Sequence, residues 1–191
     1  MIGSQNAITL ELLNQSRASV FRISDVAMIT GETNRSRLVQ RLRYGVNKGY
    51  LVSPCNGIYA KKDFSIEELA CKLYVPSYIS LDTVLQKAGV IFQYSSEITM
   101  VSYLSRTVGI SDKYIRYRKI KNEIIIDMRG IKRGEVNIAT PERAFLDTLY
   151  LNSHYHFDNP SVLDNNVIEN LLPIYNSPTL AKRAHNILSH V

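Results

Sequence analysis

The first fifty residues of the chain carry apolar side chains at helical spacing in three short stretches. The first stretch spans residues 4–17, and its apolar residues, separated by polar ones, are Ile8, Leu12 and Leu13. Side chains three or four positions apart lie on one face of an α-helix, so this stretch is predicted to be an amphipathic helix. Two further stretches, at residues 24–31 and 34–49, complete a prediction of three consecutive helices.

The second stretch carries start and stop signals of its own. Ser24 is expected to cap the N-terminus of the helix, and Asp25 lies where the helix dipole favours a negative charge. Ile23 is expected to pack on Met28 across the first turn as a hydrophobic staple. Gly31 can adopt the left-handed conformation that ends many helices.

The third stretch predicts a helix with one apolar and one polar face. Thr33 or Asn34 can cap it, and Gly49 can end it. The residues expected to face the core are Leu38, Leu42 and Val46. The opposite face carries Arg37, Gln40, Arg43, Tyr44 and Asn47, with Arg41 and Lys48 at its margin. Two short helices joined by a tight turn are typical of a helix-turn-helix.

Beyond Gly49 the pattern changes to two short β-prone runs. They are separated by Asn56 and Gly57, and Asn-Gly between such runs is a strong signal for a β-hairpin. Lys61 and Lys62 follow the hairpin. Three helices followed by a hairpin predict a winged helix-turn-helix domain over residues 1–62.

Residues 63–191 predict a second, α+β domain with a small sheet and C-terminal helices. Ser65 and Glu68 have the spacing of a helix capping box, and Thr140 with Pro141 opens another helix. Helices are predicted near residues 80–89, 140–151, 164–172 and 178–189. Strands are predicted at residues 98–103, 113–119, 123–127 and 136–138. The fold class expected for the whole chain is therefore α+β.

Composition predicts a soluble, cytoplasmic protein of two modules. The chain has 191 residues and lacks any run of about 18 apolar residues that could span a bilayer, so no membrane partner is expected. The N-terminus does not resemble a signal peptide. Cys55 and Cys71 are the two cysteines, and their isolation fits a reducing compartment and gives no sign of a zinc site.

The positive charge is concentrated in the predicted first domain. Residues 1–62 hold nine Lys or Arg and three Asp or Glu, whereas the remainder holds 14 of each kind, so the net charge of +6 lies in the first third. This asymmetry favours a nucleic-acid partner for the first domain, because Lys and Arg release the counterions condensed on phosphates. A basic domain that is merely soluble would give the same count.

The polar face of the third helix has side chains suited to duplex DNA. Arg forms bidentate hydrogen bonds with guanine, Gln pairs with adenine, and Lys and Tyr reach phosphates. The candidate DNA-binding residues are Asn34, Arg37, Gln40, Arg41, Arg43, Tyr44, Asn47, Lys48, Asn56, Lys61 and Lys62. The alternative is an ordinary solvated helix face.

A second basic stretch in the second domain alternates with aromatic residues. Its members are Lys113, Arg116, Arg118, Lys119 and Lys121, with Tyr114 and Tyr117 between them. Such a stretch could form a second nucleic-acid surface. Because its domain is neutral overall, a charged outer face of a strand is the favoured interpretation.

Catalytic and metal-binding patterns are weak. His154, His156 and Asp158 have a spacing used by some zinc hydrolases, but they lie in a polar connection and the remaining histidines are distant in sequence. No phosphate-binding glycine loop or nucleophile elbow is present. We therefore expect no catalytic residues, no metal and no cofactor, and a non-enzymatic protein.

Four sequence segments together resemble one protein family. They are GIYAKK at residues 57–62, PSYISLDTVLQKAGVI at 76–91, ITMVS at 98–102 and NIATPERAFLDTLYL at 137–151. In their order and spacing they resemble the AbiEi antitoxins of the AbiE (abortive infection) type IV toxin-antitoxin systems. The resemblance covers nearly the whole chain.

The resemblance implies a bacterial antitoxin that represses its own operon by binding repeats in the promoter. It also implies that the second domain counteracts a nucleotidyltransferase-like toxin without a stable complex. DNA contacts would then fall on Arg37, Gln40, Arg41, Arg43 and Asn56, whereas no antitoxic residue can be transferred. Two alternatives remain: a solitary winged-helix regulator, and a protein-interaction module without a cognate toxin.

Overall fold

The computed structural model describes residues 2–189, and the chain divides into two compact units, Met1–Leu73 and Tyr74–Val191. Both units combine helices with a β-sheet, as expected for the α+β class. Within the described residues, no helix is long and apolar enough to cross a membrane.

The first unit contains four helices and a three-stranded antiparallel sheet. Its elements are α1 (Ile2–Gln15), β1 (Val20–Arg22), α2 (Ile23–Thr30), α3 (Arg35–Asn47), β2 (Val52–Cys55), β3 (Ile58–Ala60) and α4 (Ile66–Leu73). The strand order is β1-β3-β2, so the predicted hairpin gains a third strand from the segment before α2. Buried apolar residues of the helices and of β1, among them Leu13, Phe21, Val26, Leu38 and Leu42, form its core.

Three local expectations in this unit were wrong. Helix α2 begins at Ile23, one residue before the predicted cap, and the Asp25 carboxylate accepts a hydrogen bond from the Arg22 N–H at 3.0 Å. Met28 is 79% exposed, so it does not form the predicted staple. In α1, Ile8 is 47% exposed and Thr9 is buried, because the face that meets the core is rotated away from Ile8.

Helix α4 belongs to the first unit, so this unit ends at Leu73 and not at residue 62. The Glu68 carboxylate is buried and accepts hydrogen bonds from the backbone N–H groups of Ser19 and Val20 at 2.8 and 3.0 Å. The Arg22 guanidinium donates to the carbonyls of Lys72 and Leu73. A buried carboxylate requires such donors, and these bonds tie α4 to the start of β1.

Only one of the two hydrogen bonds of the predicted capping box of α4 is formed. Ser65 Oγ accepts a hydrogen bond from the Glu68 N–H at 3.3 Å, as expected. The Glu68 carboxylate does not return to Ser65, because it is engaged at Ser19 and Val20. Instead, the Ser65 N–H donates to Ser19 Oγ at 3.0 Å.

The second unit has a six-stranded mixed sheet, which is larger than the small sheet expected. Its elements are β4 (Ser77–Ile79), α5 (Asp82–Lys87), β5 (Ile98–Ser102), β6 (Arg106–Ile110), β7 (Lys113–Lys119), α6 (Asn122–Ile126), β8 (Ile131–Lys132), β9 (Ile138–Ala139), α7 (Pro141–Leu151), α8 (Asn165–Leu171) and α9 (Pro178–Leu188). The strand order is β6-β7-β5-β4-β9-β8. The β5–β7 and β4–β9 pairs are parallel, and the other pairs are antiparallel.

The strand predicted at residues 123–127 is the short helix α6. Ile124 and Ile125 are both buried, whereas neighbouring residues of a strand point to opposite faces. Their N–H groups both donate to the Lys121 carbonyl at 3.1 Å, which closes a helical turn. Burying two adjacent isoleucines in one core therefore required a helix here.

An ion pair between Arg143 and Asp147 lies in the core of the second unit. Both side chains are fully buried, on successive turns of α7, and Arg143 Nε lies 3.3 Å from the Asp147 carboxylate. The guanidinium also donates to the main-chain carbonyls of Ile124, Asp127 and Arg129. Buried charges persist only when their hydrogen-bonding capacity is satisfied in this way.

Three hydroxyl groups complete the environment of Asp147. Tyr78, Ser80 and Tyr175 donate to its carboxylate at 3.1, 2.8 and 2.7 Å. Burial, reinforced by the nearby carboxylate, raises the pKa of Tyr78 and Tyr175 well above the ordinary value. Both phenols therefore stay protonated and continue to donate.

Replacing Asp147 by Asn should lower the free energy of unfolding by about 3–5 kcal/mol, because it leaves the buried Arg143 charge without its counter-ion. The matched control is Asp127→Asn, which removes a carboxylate paired with the largely exposed Arg129. The control should lose at most about 1 kcal/mol. Urea denaturation of the two variants measures both values, and equal losses would contradict the role assigned to the pair.

Candidate nucleic-acid interface

Helix α3 is positioned by signals at both of its ends. Gly31, with a φ of 69°, ends α2, and the Asn34 side chain accepts a hydrogen bond from the Arg37 N–H at 3.1 Å to cap α3. Gly49, with a φ of 70°, follows the last turn. The predicted helix, its cap and its end are confirmed.

The inward face of α3 packs closely against α1. Leu38, Leu42 and Gly45 are buried on this face. A Cβ atom placed on Gly45 would lie 2.9 Å from Leu10 Cδ2 and 3.1 Å from Leu51 Cδ1. The absence of a side chain at Gly45 therefore allows α3 to approach α1, which fixes the orientation of the opposite face.

The outward face of α3 presents polar side chains to solvent, as the periodicity predicted. Arg37, Gln40, Arg43 and Asn47 are exposed, and Tyr44 is 39% exposed. In the part of the chain that the structure describes, the Arg37 and Arg43 guanidinium groups have no ion pair. These two charges remain free to meet a ligand.

Three of the predicted DNA-binding residues have partners within the fold. Asn34 caps α3, and Arg41, with a side chain only 15% exposed, forms an ion pair with Glu32 at 3.1 Å. Lys61 Nζ donates to the carbonyls of Asn14 and Ser16 at 3.1 and 2.7 Å, at the end of α1. We assign these three side chains structural roles in the first unit.

The hairpin presents its turn to solvent. Cys55 pairs with Ile58, so Asn56 and Gly57 form a two-residue turn, and Gly57 has a φ of 76°. Asn56, Lys48 and Lys62 are exposed. The predicted hairpin is confirmed, and its turn remains accessible to a ligand.

Two exposed residues at the start of α3 are not among the predicted DNA-binding residues. Arg35 and Ser36 occupy the first turn, directly after the Asn34 cap. In helix-turn-helix proteins the N-terminal residues of the recognition helix contact base edges. Because Arg35 and Ser36 directly follow a capping residue, the sequence already places them in the first turn of the helix, and they could have been included among the candidate DNA contacts.

The observed boundary of the first unit reduces its charge asymmetry. Residues 1–73 hold ten Lys or Arg and six Asp or Glu, a formal excess of +4. Three of the acidic groups have partners inside the unit. Glu32 pairs with Arg41, Asp25 pairs with Lys72, and Glu68 accepts hydrogen bonds at the start of β1. The exposed cations of α3 thus keep their charge at the surface.

The second basic stretch does not form one continuous surface. Strand β7 alternates, so Tyr114, Arg116 and Arg118 share one face, and Lys113 and Lys119 lie on the other with the buried Ile115 and Tyr117. Arg116 is paired with Glu97 at 2.8 Å. Lys121 follows the strand and precedes α6. This distribution favours the charged outer face of a strand.

The histidine string does not converge on a metal site. His156 is 88% exposed and lies 3.8 Å from Asp158, whose carboxylate accepts the Phe92 N–H at 2.8 Å. Asp158 thereby anchors the segment after α5. Among the described residues no group of three potential metal ligands occurs, and His190 lies outside them.

Comparison with known proteins gives no assignment. No model of a protein family matches the chain, and no curated protein matches it either.

Replacing Asn34 by Ala should lower the free energy of unfolding by about 1 kcal/mol, because the first turn of α3 loses its cap. Asn47→Ala is the matched control, since Asn47 is an exposed asparagine of the same helix. That control should change stability by no more than about 0.5 kcal/mol. Thermal and urea denaturation measure the difference, and an unchanged Asn34→Ala protein would contradict the capping role.

Proposed function

We propose that residues 1–73 are a winged helix-turn-helix module that binds duplex DNA. Helices α2 and α3 are the helix-turn-helix, α3 is the recognition helix, and the β2–β3 hairpin is the wing. The main support for the proposal is the outward face of α3, where Arg37, Gln40 and Arg43 are exposed. The opposite face of the same helix is packed in the core.

The side chains of this face match the groups displayed in the major groove. Arg37 and Arg43 have guanidinium forks that fit the O6 and N7 atoms of guanine, and the Gln40 amide fits adenine. Lys48 and Lys62 would contact phosphates, and Asn56 at the tip of the wing would reach the backbone or the minor groove. The free charges of Arg37 and Arg43 support this assignment over a solvated helix face.

Changing Arg37, Gln40 and Arg43 together to Ala should lower affinity for the promoter of the protein's own operon by at least about 100-fold, because each base contact contributes about 1–3 kcal/mol. Affinity for random DNA should fall much less. The measurement is a fluorescence-anisotropy titration with promoter and random duplexes at about 150 mM salt. Circular dichroism should report an unchanged fold, since all three side chains are exposed.

Two control variants separate charge from position. Lys182 and Arg183 are exposed on α9 of the second unit, and their double replacement by Ala should leave promoter affinity unchanged. Replacing Lys48 and Lys62 should weaken both duplexes alike and reduce the slope of log K against log salt by about two. A wild-type protein without preference for promoter over random DNA would contradict the proposal.

We further propose that the protein is an AbiE-type antitoxin that represses its own operon and counteracts a nucleotidyltransferase-like toxin without a stable complex. The resemblance of residues 76–91 and 137–151 supports this function. In the second segment, Thr140 caps α7, and Arg143 and Asp147 form the buried pair. These residues stabilise the second unit, so the antitoxic side chains must be sought on its surface.

Co-expression with a nucleotidyltransferase-like gene from the same operon tests the antitoxin proposal. Wild-type protein, expressed from an independent promoter, should restore growth. The Arg37, Gln40 and Arg43 triple variant should also restore growth while it fails to repress the operon, because the two activities belong to different units. Failure of the wild type to restore growth would indicate a solitary regulator.

A further inference from the structure

A groove on the first unit lies beside the face of α3 that is proposed to bind DNA. It is lined by residues of α1, by Tyr44 of α3 and by the segment that follows α3, and its volume is about 550 Å³. Pockets that bind small organic molecules typically have about 300–1,000 Å³. The groove is therefore large enough for a compact organic ligand.

The base of the groove is apolar and its rim is aromatic. Leu13 and Leu51, which are 1% and 5% exposed, line it together with Leu10. Tyr44 and Tyr50 also line it, and Tyr50 is 62% exposed. Accessible tyrosine rings next to apolar side chains can hold a hydrophobic body and attract a cation.

The lining contains one acidic side chain, Glu11, and one basic side chain, Lys61, and the two differ in their hydrogen-bond partners. Lys61 Nζ donates to the carbonyls of Asn14 and Ser16 at the C-terminal end of α1, where the helix dipole is negative. The Glu11 carboxylate receives a hydrogen bond from the neutral Gln15 amide at 3.3 Å. No cation pairs with Glu11 among the residues that the structure describes.

We propose that this groove binds lipophilic organic cations. The apolar body of such a ligand would lie on the leucines, and its positive charge would lie between the tyrosine rings and Glu11. Lys61 also lines the groove, but its ammonium group is held by two main-chain carbonyls at the end of α1, whereas the Glu11 carboxylate has no cationic partner among the described residues. The more distant positive charges of the unit oppose binding only weakly, because charges separated by more than about 8 Å are screened at physiological salt. Tyr44 belongs both to the groove and to the outward face of α3, so a ligand here would contact the proposed DNA-binding helix.

Two probes of the same shape and opposite charge test the proposal. Isothermal titration calorimetry of the full-length protein, without DNA, compares tetraphenylphosphonium with tetraphenylborate. The cation should bind at least about 10-fold more tightly than the anion, since an unpaired carboxylate and two aromatic rings favour positive charge. Because no DNA is present, failure here would leave the DNA-binding proposal intact.

Matched variants locate the site. Glu11→Gln should weaken phosphonium binding about three-fold, and Tyr50→Ala about five-fold, which are the effects of one exposed ion pair and one exposed cation–π contact with its apolar area. Glu123→Gln and Tyr94→Ala, at exposed positions of the second unit, should leave binding unchanged.

Several results would overturn the proposal. Equal or tighter binding of tetraphenylborate would mean that the groove selects apolar bulk or negative charge. Equal behaviour of the groove variants and their controls would place the cation elsewhere, and no binding of either probe would exclude a ligand of this class. Light scattering that finds a dimer disrupted by Tyr50→Ala would assign the groove to a second copy of the chain.

Discussion

The buried ion pair between Arg143 and Asp147 holds several segments of the second unit in place around α7. Removing both charges from water is costly, and the cost is tolerable only when nearly every donor and acceptor has a partner. These partners come from β4, from α6, from the turn at residues 127–129 and from Tyr175. Each of these segments must therefore hold its position relative to α7.

In the first unit as well, charged groups with partners inside the fold can be distinguished from charged groups that are free to bind a ligand. Glu68 is buried and receives hydrogen bonds from Ser19 and Val20, and Lys61 is committed to main-chain carbonyls at the end of α1. Arg37 and Arg43, four and two residues from the paired Arg41 on the same helix, have no such commitment. Cations left unpaired at the surface are available to a polyanionic ligand, as the proposed DNA-binding function requires.

Local signals predicted local structure well. The Asn34 and Thr140 caps, the glycines that follow α2 and α3, and the Asn56-Gly57 turn act within a few residues, so the sequence indicates them directly. The outward face of α3 could be predicted from the helical spacing of its apolar residues alone. Short strands such as β1, β4 and β6 were overlooked because their pairing depends on distant segments.

Tertiary contacts account for the remaining differences. Arg143 and Asp147 have the four-residue spacing of an ordinary surface pair on a helix, and only the fold reveals that both are buried. Glu68 matches a capping box in sequence, yet its carboxylate accepts hydrogen bonds at the start of β1. Helix α4 therefore packs with the first unit, which ends at Leu73. The partners of Arg41 and Lys61 within the unit are likewise revealed only by the fold.

Amide chemical-shift mapping by NMR, with the full-length protein and its promoter duplex, tests most directly whether the outward face of α3 meets DNA. We expect the perturbed amides to cluster in α3 and the β2–β3 turn, and the shifts to diminish as salt is raised. Perturbations confined to residues 74–191, or none in α3, would contradict it.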